Sequence, residues 1–352
     1  MQRKRVAIIL AGGGGTRLWP LSDRNHPKPL IELFNHQSML EQTLFRAELC
    51  TDASFILTSK NALQRIESSL EKLAVPSSHV IIEPEGADTA AAIAYALARV
   101  KARYGDETSI VLMAVDHRIK NHGAFYRDMR YAFSAAEQYN AIVLFGITPT
   151  YAATGYGYIQ LGTSLEHHDR NVLFNVDTFM EKPSKEKAET LSKSPDHVWN
   201  SGIFVGTINA FETAFKYNAS LYRWYQDIST NPSTPMPVTF RHFQFEHEIL
   251  EHTRSLLVTT ATFDWADIGT FTGLHATLPE LDGNGNVIRG NVKISDSHDC
   301  LVIGNHKKII ILGLDDIAVV DGPDGILVCR KSTHSQLVGT LATGKEQPGA
   351  KQ

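Results

Sequence analysis

RVAIILAGGGGTRLWPLSDRNHPKPL, residues 5–30, decides the fold. An apolar run, Val6 to Ala11, leads into four consecutive glycines, Gly12, Gly13, Gly14 and Gly15, and then Thr16 and Arg17. Glycine in such numbers costs backbone entropy, so the run needs a reason. As the end of a buried first strand, it would bring bare N–H groups against phosphate oxygens, where any Cβ would hold the ligand off. The plain alternative is a flexible turn. A dinucleotide fingerprint would need a third glycine where Arg17 stands, and a Walker loop would need Gly-Lys-Ser/Thr where the order is Gly15-Thr16-Arg17; neither fits. Two cations follow instead: Arg17, and Lys28 between Pro27 and Pro29, which are expected to hold it extended. Two cations at one phosphate loop suit a reaction in which pyrophosphate leaves and negative charge grows on it.

Outward from that stretch, apolar runs at 6–11, 54–58, 79–83, 109–115 and 141–147 alternate with amphipathic segments, the mark of βα units around a parallel sheet. Ser38 and Glu41 form a capping box at the head of one helix. Asp88 or Thr89 opens another, through AAAIAYALARV. Residues 148–275 mix hairpin-like runs, GYGYIQL and NVLFNVDTFM, with helical stretches, and are expected to complete the first domain. After Leu281, short β-rich runs broken by Gly, Asn and Asp show no helical period. The expected architecture is an α/β catalytic domain over residues 1–280, a small all-β module over 281–338 and a frayed tail over 339–352.

Composition narrows the function. With 38 acidic against 34 basic residues the formal charge is −4, so there is no broad basic surface for nucleic acid. An anionic ligand must be held by a few local cations, backbone amides or a metal. Three scattered cysteines, Cys50, Cys300 and Cys329, make neither a disulfide scaffold nor a four-thiolate zinc site. The basic start followed by Val6 to Ala11 mimics a signal peptide but is short for one, and no apolar run is long enough to span a bilayer, so the expected location is cytoplasmic.

LAGGGGTRLWPLS followed by PKP closely resembles the signature of the sugar-nucleotide pyrophosphorylases, and the whole pattern is most similar to the bacterial members that act on mannose 1-phosphate. EPEGADTAAAIAYA (83–96), AVDHRI (114–119), TGYGYI (154–159), FMEKPS (179–184), WNSGIFV (199–205) and FDWADIGTF (263–271) agree in the family's order. The resemblance covers nearly the whole chain. It implies a Rossmann-like nucleotidyltransferase, with a mixed, mainly parallel sheet flanked by helices, and a C-terminal module for which a short left-handed β-helix is one form. It also implies transfer of GMP from GTP to mannose 1-phosphate, with Mg²⁺. The site residues it implies are a nucleotide set of Leu10, Ala11, Gly12 to Gly15, Thr16, Arg17, Lys28, Glu83, Asp88 and Asp116, and a sugar phosphate set of Tyr156, Gly157, Glu181, Lys182 and Asn200. Asp116 and Asp267 are the implied metal ligands, and Arg17, Lys28, Asp116 and Asp267 the catalytic group.

The residues also carry readings of their own. Asp116 follows an apolar strand directly, where ligands of open α/β sheets bind. Read alone, Asp116 and Asp267 could each be a helix cap, and Asp264 is a rival for Asp267. His117 lacks a second histidine at ligand spacing and reads as structural. Glu181 and Lys182 alone would be an exposed pair of little worth. Where the family usually reads Arg/Lys-Asn-Thr-Ala-Pro after the Glu-Pro, this chain has Ala87-Asp88-Thr89-Ala90-Ala91. Val115 and Phe271 also depart from the usual pattern, as packing changes. Asp88 could read guanine N1–H and N2–H or cap the following helix, and both stay open. Rival functions are a transferase for another base or sugar, a non-catalytic nucleotide-sugar-binding homologue, and, against the missing glycine, a nicotinamide-dependent dehydrogenase. A homodimer through the small module is a further expectation.

Overall fold

The computed structural model describes residues 3–12, 18–22, 27–34, 36–168 and 170–331; the tail expected at 339–352 lies outside them. The strands are β1 (Arg5–Leu10), β2 (Ala53–Thr58), β3 (Val80–Ile82), β4 (Ser109–Ala114), β5 (His117–Arg118), β6 (Ile142–Ile147), β7 (Tyr158–His168), β8 (Asn171–Met180), β9 (His197–Thr207), β10 (Leu256–Thr260), β11 (Ala266–Asp267), β12 (Val287–Ser295), β13 (Leu301–Leu312), β14 (Ile317–Gly322) and β15 (Gly325–Arg330). The four helices that frame the site are α1 (Met39–Glu48), α2 (Lys60–Lys72), α3 (Thr89–Tyr104) and α4 (His122–Tyr139).

One nine-stranded sheet runs in the order β3-β2-β1-β4-β9-β6-β10-β8-β7. The five apolar runs of the first 147 residues are its strands β1, β2, β3, β4 and β6. β3, β2, β1 and β4 are parallel neighbours, as βα units require. β9 then enters antiparallel to both β4 and β6, so the middle section completes the sheet from within. The expected hairpin is β7 with β8, Tyr158 opposite Met180.

Alternation along each strand splits the core in two. Ala7, Ile9, Val111 and Met113 face one layer with Leu40 and Leu44 of α1, Ile66 and Leu70 of α2 and Phe125 and Phe133 of α4. Val6, Ile8, Ile110 and Leu112 face the other, with the alanine-rich side of α3 and with Phe211 and Phe215 of the helix Ile208–Phe215. The capping box is present: the Glu41 amide donates to Ser38 Oγ at 3.2 Å and the Ser38 amide to Glu41 Oε2 at 2.5 Å. β12, β13 and β14 stack in parallel and β15 closes them antiparallel, with Cys300, Val302, Ile311 and Val319 packed inside the curl.

Candidate active site

β1, β2 and β3 end side by side, so Leu10, Leu57 and, just past β3, Glu83 meet at one edge of the sheet. With Gly12, Ala87, Asp88, Thr89, Ala92 and Ile93 they line a cavity of about 200 Å³. The Ala11 amide donates to Leu57 O at 2.9 Å and its carbonyl accepts from Thr58 Oγ1 at 3.2 Å, which fixes the start of the glycine loop. A Cβ on Gly12 would stand 3.3 Å from Glu83 Oε1, so this position is already tight. Gly13, Gly14, Gly15, Thr16 and Arg17 lie outside the described residues. Burial, and then the Asp88 charge, push the Glu83 carboxyl up to about 7.

Asp88 is the N-cap of α3, its Oδ1 accepting from the Thr89 amide at 2.8 Å. Asp88→Ala is therefore expected to cost about 1 kcal/mol of stability through the lost cap, with any preference between GTP and ATP unchanged. Thermal melting and kcat/KM for the two nucleotides check this. A collapse of the preference would instead give Asp88 the base edge.

Asp116 lies just beyond β4 and Asp267 on β11. A two-stranded ladder joins them: Asp267 faces His117 across β5 and β11, and the Ile268 amide donates to the Asp116 carbonyl at 3.0 Å. Lys28 reaches the same point, its Nζ 2.5 Å from Asp116 Oδ2, with only 8% of the residue exposed. Its expected extended conformation is corrected: Lys28–Leu30 is a 3-10 turn, closed by Leu30 N–H to Pro27 O at 2.9 Å. Pro29 suits such a first turn because its missing N–H has no acceptor to meet there.

Asp264 has a different task. Its carboxylate accepts from the Lys120 and Asn121 amides at 2.7 to 3.1 Å, at the entry to α4. Asp267 Oδ1 accepts a local bond, from the Gly269 amide at 2.6 Å. His117 is buried, which lowers its pKa and keeps it neutral, and its ring lies edge-on to Trp265 at 5.5 Å.

Sequence reasoning missed the clasp that α1 places on this backbone. Thr43 Oγ1 donates to Val115 O at 3.2 Å and Arg46 Nη2 to His117 O at 2.9 Å. Burial lowers the Arg46 guanidinium to about 10, so it stays a cation at neutral pH. A buried arginine on an apolar helix face is the signal that could have found it.

A second group of side chains gathers around Glu181. Glu181 follows β8, and its Oε1 is 2.9 Å from Lys182 Nζ; Oε2 is buried with no hydrogen-bond partner among the described residues. Gly157 has no room for a side chain, since a Cβ would come 2.6 Å from Glu181 Oε2 and 3.3 Å from Asn200 Cβ. The Asn200 amide donates to Gly157 O at 2.8 Å, and Asn200 Oδ1 accepts from the Gly202 amide at 3.0 Å. Lys182 adopts a left-handed φ of 44°, which turns the chain there. Tyr156 packs between Trp199 at 5.2 Å and Trp265 at 5.4 Å, and burial and then Asp267 hold its hydroxyl neutral.

Contacts thus gather Tyr156 and Gly157, Glu181 and Lys182, and Asn200 from three separate stretches of the chain, and Tyr156 packs on Trp265, two residues before Asp267. Glu246 was also missed: burial, and then Glu181, push its carboxyl up to about 7. No motif marks it, because the short helix Phe245–Glu248 brings it to Glu181 only in the folded chain.

The sequence and the fold are matched by known proteins. A nucleotidyl transferase family model fits residues 6–282, more than half of the chain. The chain belongs to the nucleotidyl transferase family. A second model, for a MannoseP isomerase/GMP-like β-helix domain, fits residues 285–338 of this nucleotidyl transferase. It is 30% identical over 343 residues to a mannose-1-phosphate guanylyltransferase of Escherichia coli, covering 93% of this chain and 71% of that one. It is 31% identical over 337 residues to the alginate biosynthesis protein AlgA of Pseudomonas aeruginosa, covering 93% and 69%. The solved structure titled mannose-1-phosphate geranyltransferase, from Thermus thermophilus, shares its fold with a TM-score of 0.82 at 23% identity, over 97% of this chain and 99% of that one. Among the described residues of this nucleotidyl transferase, no helix is long and apolar enough to cross a membrane.

Proposed function

We propose that the chain transfers GMP from GTP to α-D-mannose 1-phosphate, giving GDP-mannose and pyrophosphate. The observation that supports this reading is Asp116 and Asp267 brought together by the β5–β11 ladder, with Lys28 against Asp116. The named activity of the E. coli relative supports the choice of base and sugar. An oxygen of the sugar phosphate attacks the α-phosphorus, and the bond from that phosphorus to the bridging oxygen breaks as pyrophosphate leaves. The nucleophile is already an anion at neutral pH, so no general base is needed, and the protein positions the reactants and neutralises charge.

Lys28, with Arg17 of the signature, opposes the charge that grows on the leaving pyrophosphate. Glu181 accepts sugar hydroxyls through its unpartnered Oε2, Lys182 meets the sugar phosphate, and Asn200 and the bare backbone at Gly157 fix the ring. Two carboxylates, Asp116 between β4 and β5 and Asp267 on β11, form an oxygen-only donor set that leaves positions to phosphate oxygens, which fits Mg²⁺. Asp116 and Asp267 would hold it, and bound there it would neutralise both phosphates.

We read the enzyme as cytoplasmic, in keeping with its three unpaired cysteines. We read it also as a homodimer through the small module, whose Ile310, Leu312 and Val328 are 65, 67 and 63% exposed. The experiment for the reaction is pyrophosphate release across four nucleoside triphosphates and several sugar 1-phosphates. GTP with mannose 1-phosphate should give the highest kcat/KM; release with a different pair would reassign the base or the sugar, and release with none would leave a binding protein.

A further inference from the structure

The described residues of the segment that carries Lys28, 18–22 and 27–34, contain no strand of the main sheet and fold only into short turns, so what holds them decides where the ammonium stands. One side rests on α1, where the Met39 amide donates to Ile31 O at 3.2 Å. The other side rests on the C-terminal module. Arg289 of β12 donates from Nη1 to Leu33 O at 2.9 Å, and from Nη2 to Glu280 Oε1 at 2.5 Å, just ahead of the module.

The turn between β14 and β15 makes a second contact. A Cβ on Gly322 would overlap the Pro20 carbonyl oxygen and stand 2.6 Å from Pro20 Cβ, and one on Gly325 would stand 3.0 Å from the Trp19 ring. Leu18, Ile31 and Leu33 share one buried cluster with Leu301, Val320 and Leu327 of the module. The module therefore forms a wall against the segment while supplying neither of the paired carboxylates.

We propose that the C-terminal β-module positions residues 18–22 and 27–34, and with them Lys28, which makes Arg289 and Gly322 positioning residues for the nucleotide half of the transfer. The proposal rests on the role given to Lys28 above. The guanidinium makes a directed, charge-assisted bond to a backbone carbonyl, which specifies position as well as adding stability. Gly322 permits a backbone approach that no larger residue allows. A displacement of about 1 Å in a catalytic group can cost a hundredfold in rate, so a brace of this kind acts on turnover without touching substrate.

The test uses the full chain with Arg289→Ala, Arg289→Lys and Gly322→Ala, read by steady-state kinetics and by hydrogen exchange resolved to peptides. Arg289→Ala and Gly322→Ala are expected to lower kcat tenfold to a hundredfold, on the order of a small misplacement, with KM for mannose 1-phosphate changed by less than about twofold. Amides of 28–34 should exchange faster while those of α3 and β8 do not, and Arg289→Lys should recover part of both effects. Unchanged kcat together with unchanged exchange at 28–34, or exchange accelerated equally throughout the chain, would overturn the proposal. If the wild-type protein transfers no GMP, the functional reading fails, and the exchange measurement still decides whether the module holds the segment. If Gly322→Ala does not fold, the two Arg289 variants decide.

Discussion

Lys28→Ala is expected to lower kcat by about a hundredfold, the usual loss for one contact that opposes developing charge, with KM for the sugar phosphate changed by less than about twofold. The ammonium is nearly buried and lies 2.5 Å from Asp116 Oδ2, so it is fixed in place before substrate arrives. A preset charge needs no reorganisation when the bond to the leaving pyrophosphate breaks, which is why the effect falls on turnover more than on binding. Arg17→Ala is expected to behave alike on the signature alone. Steady-state kinetics at saturating substrates check both variants, and turnover near the wild-type rate in Lys28→Ala would remove Lys28 from the catalytic group.

Asp267→Asn should lose essentially all divalent-cation-dependent turnover and still fold. The asparagine carbonyl can keep accepting from the Gly269 amide, the bond that Asp267 Oδ1 makes now at 2.6 Å, but one anionic ligand of a hard cation is gone. Asp264→Asn, three positions earlier, should do the opposite. Its carboxylate serves the Lys120 and Asn121 amides at the entry to α4, so the loss is expected in stability, about 1 kcal/mol as for other helix-entry caps, with little change in kcat. Melting curves and activity titrated against Mg²⁺ separate the two. The reverse ranking would move the proposed metal site to Asp264, and small equal effects would leave neither aspartate a ligand.

Much of the proposed nucleotide half is legible in the sequence because its residues sit at the ends of elements that local pattern defines. Asp116 follows an apolar run that can only be a buried strand, and Glu83 follows another; the parallel sheet then brings both strand ends to one edge. The Ser38 capping box and the start of α3 are equally local. The choice between Asp264 and Asp267 is not local. It depends on the ladder of β5 with β11, two residues each, far too short to leave a periodic pattern.

The same limit applies to β9, which pairs between β4 and β6 although the chain reaches it only after the β7–β8 hairpin. Arg46 and Glu246 carry no motif, and their proximity to His117 and Glu181 comes from packing alone. Lys28 shows how a local rule can yield: two flanking prolines favour an extended residue, but a 3-10 turn closes around it and the ammonium is paired with Asp116.

The central claim is a direct transfer, with charge neutralised by Lys28, Asp116 and Asp267 and no covalent link to the protein. The stereochemical course at the α-phosphorus tests it most directly, using GTP carrying a sulfur of known configuration there and mannose 1-phosphate as acceptor. Inversion of configuration in the product is the predicted result. Retention would mean two successive displacements through a nucleotidylated side chain, and would contradict the account.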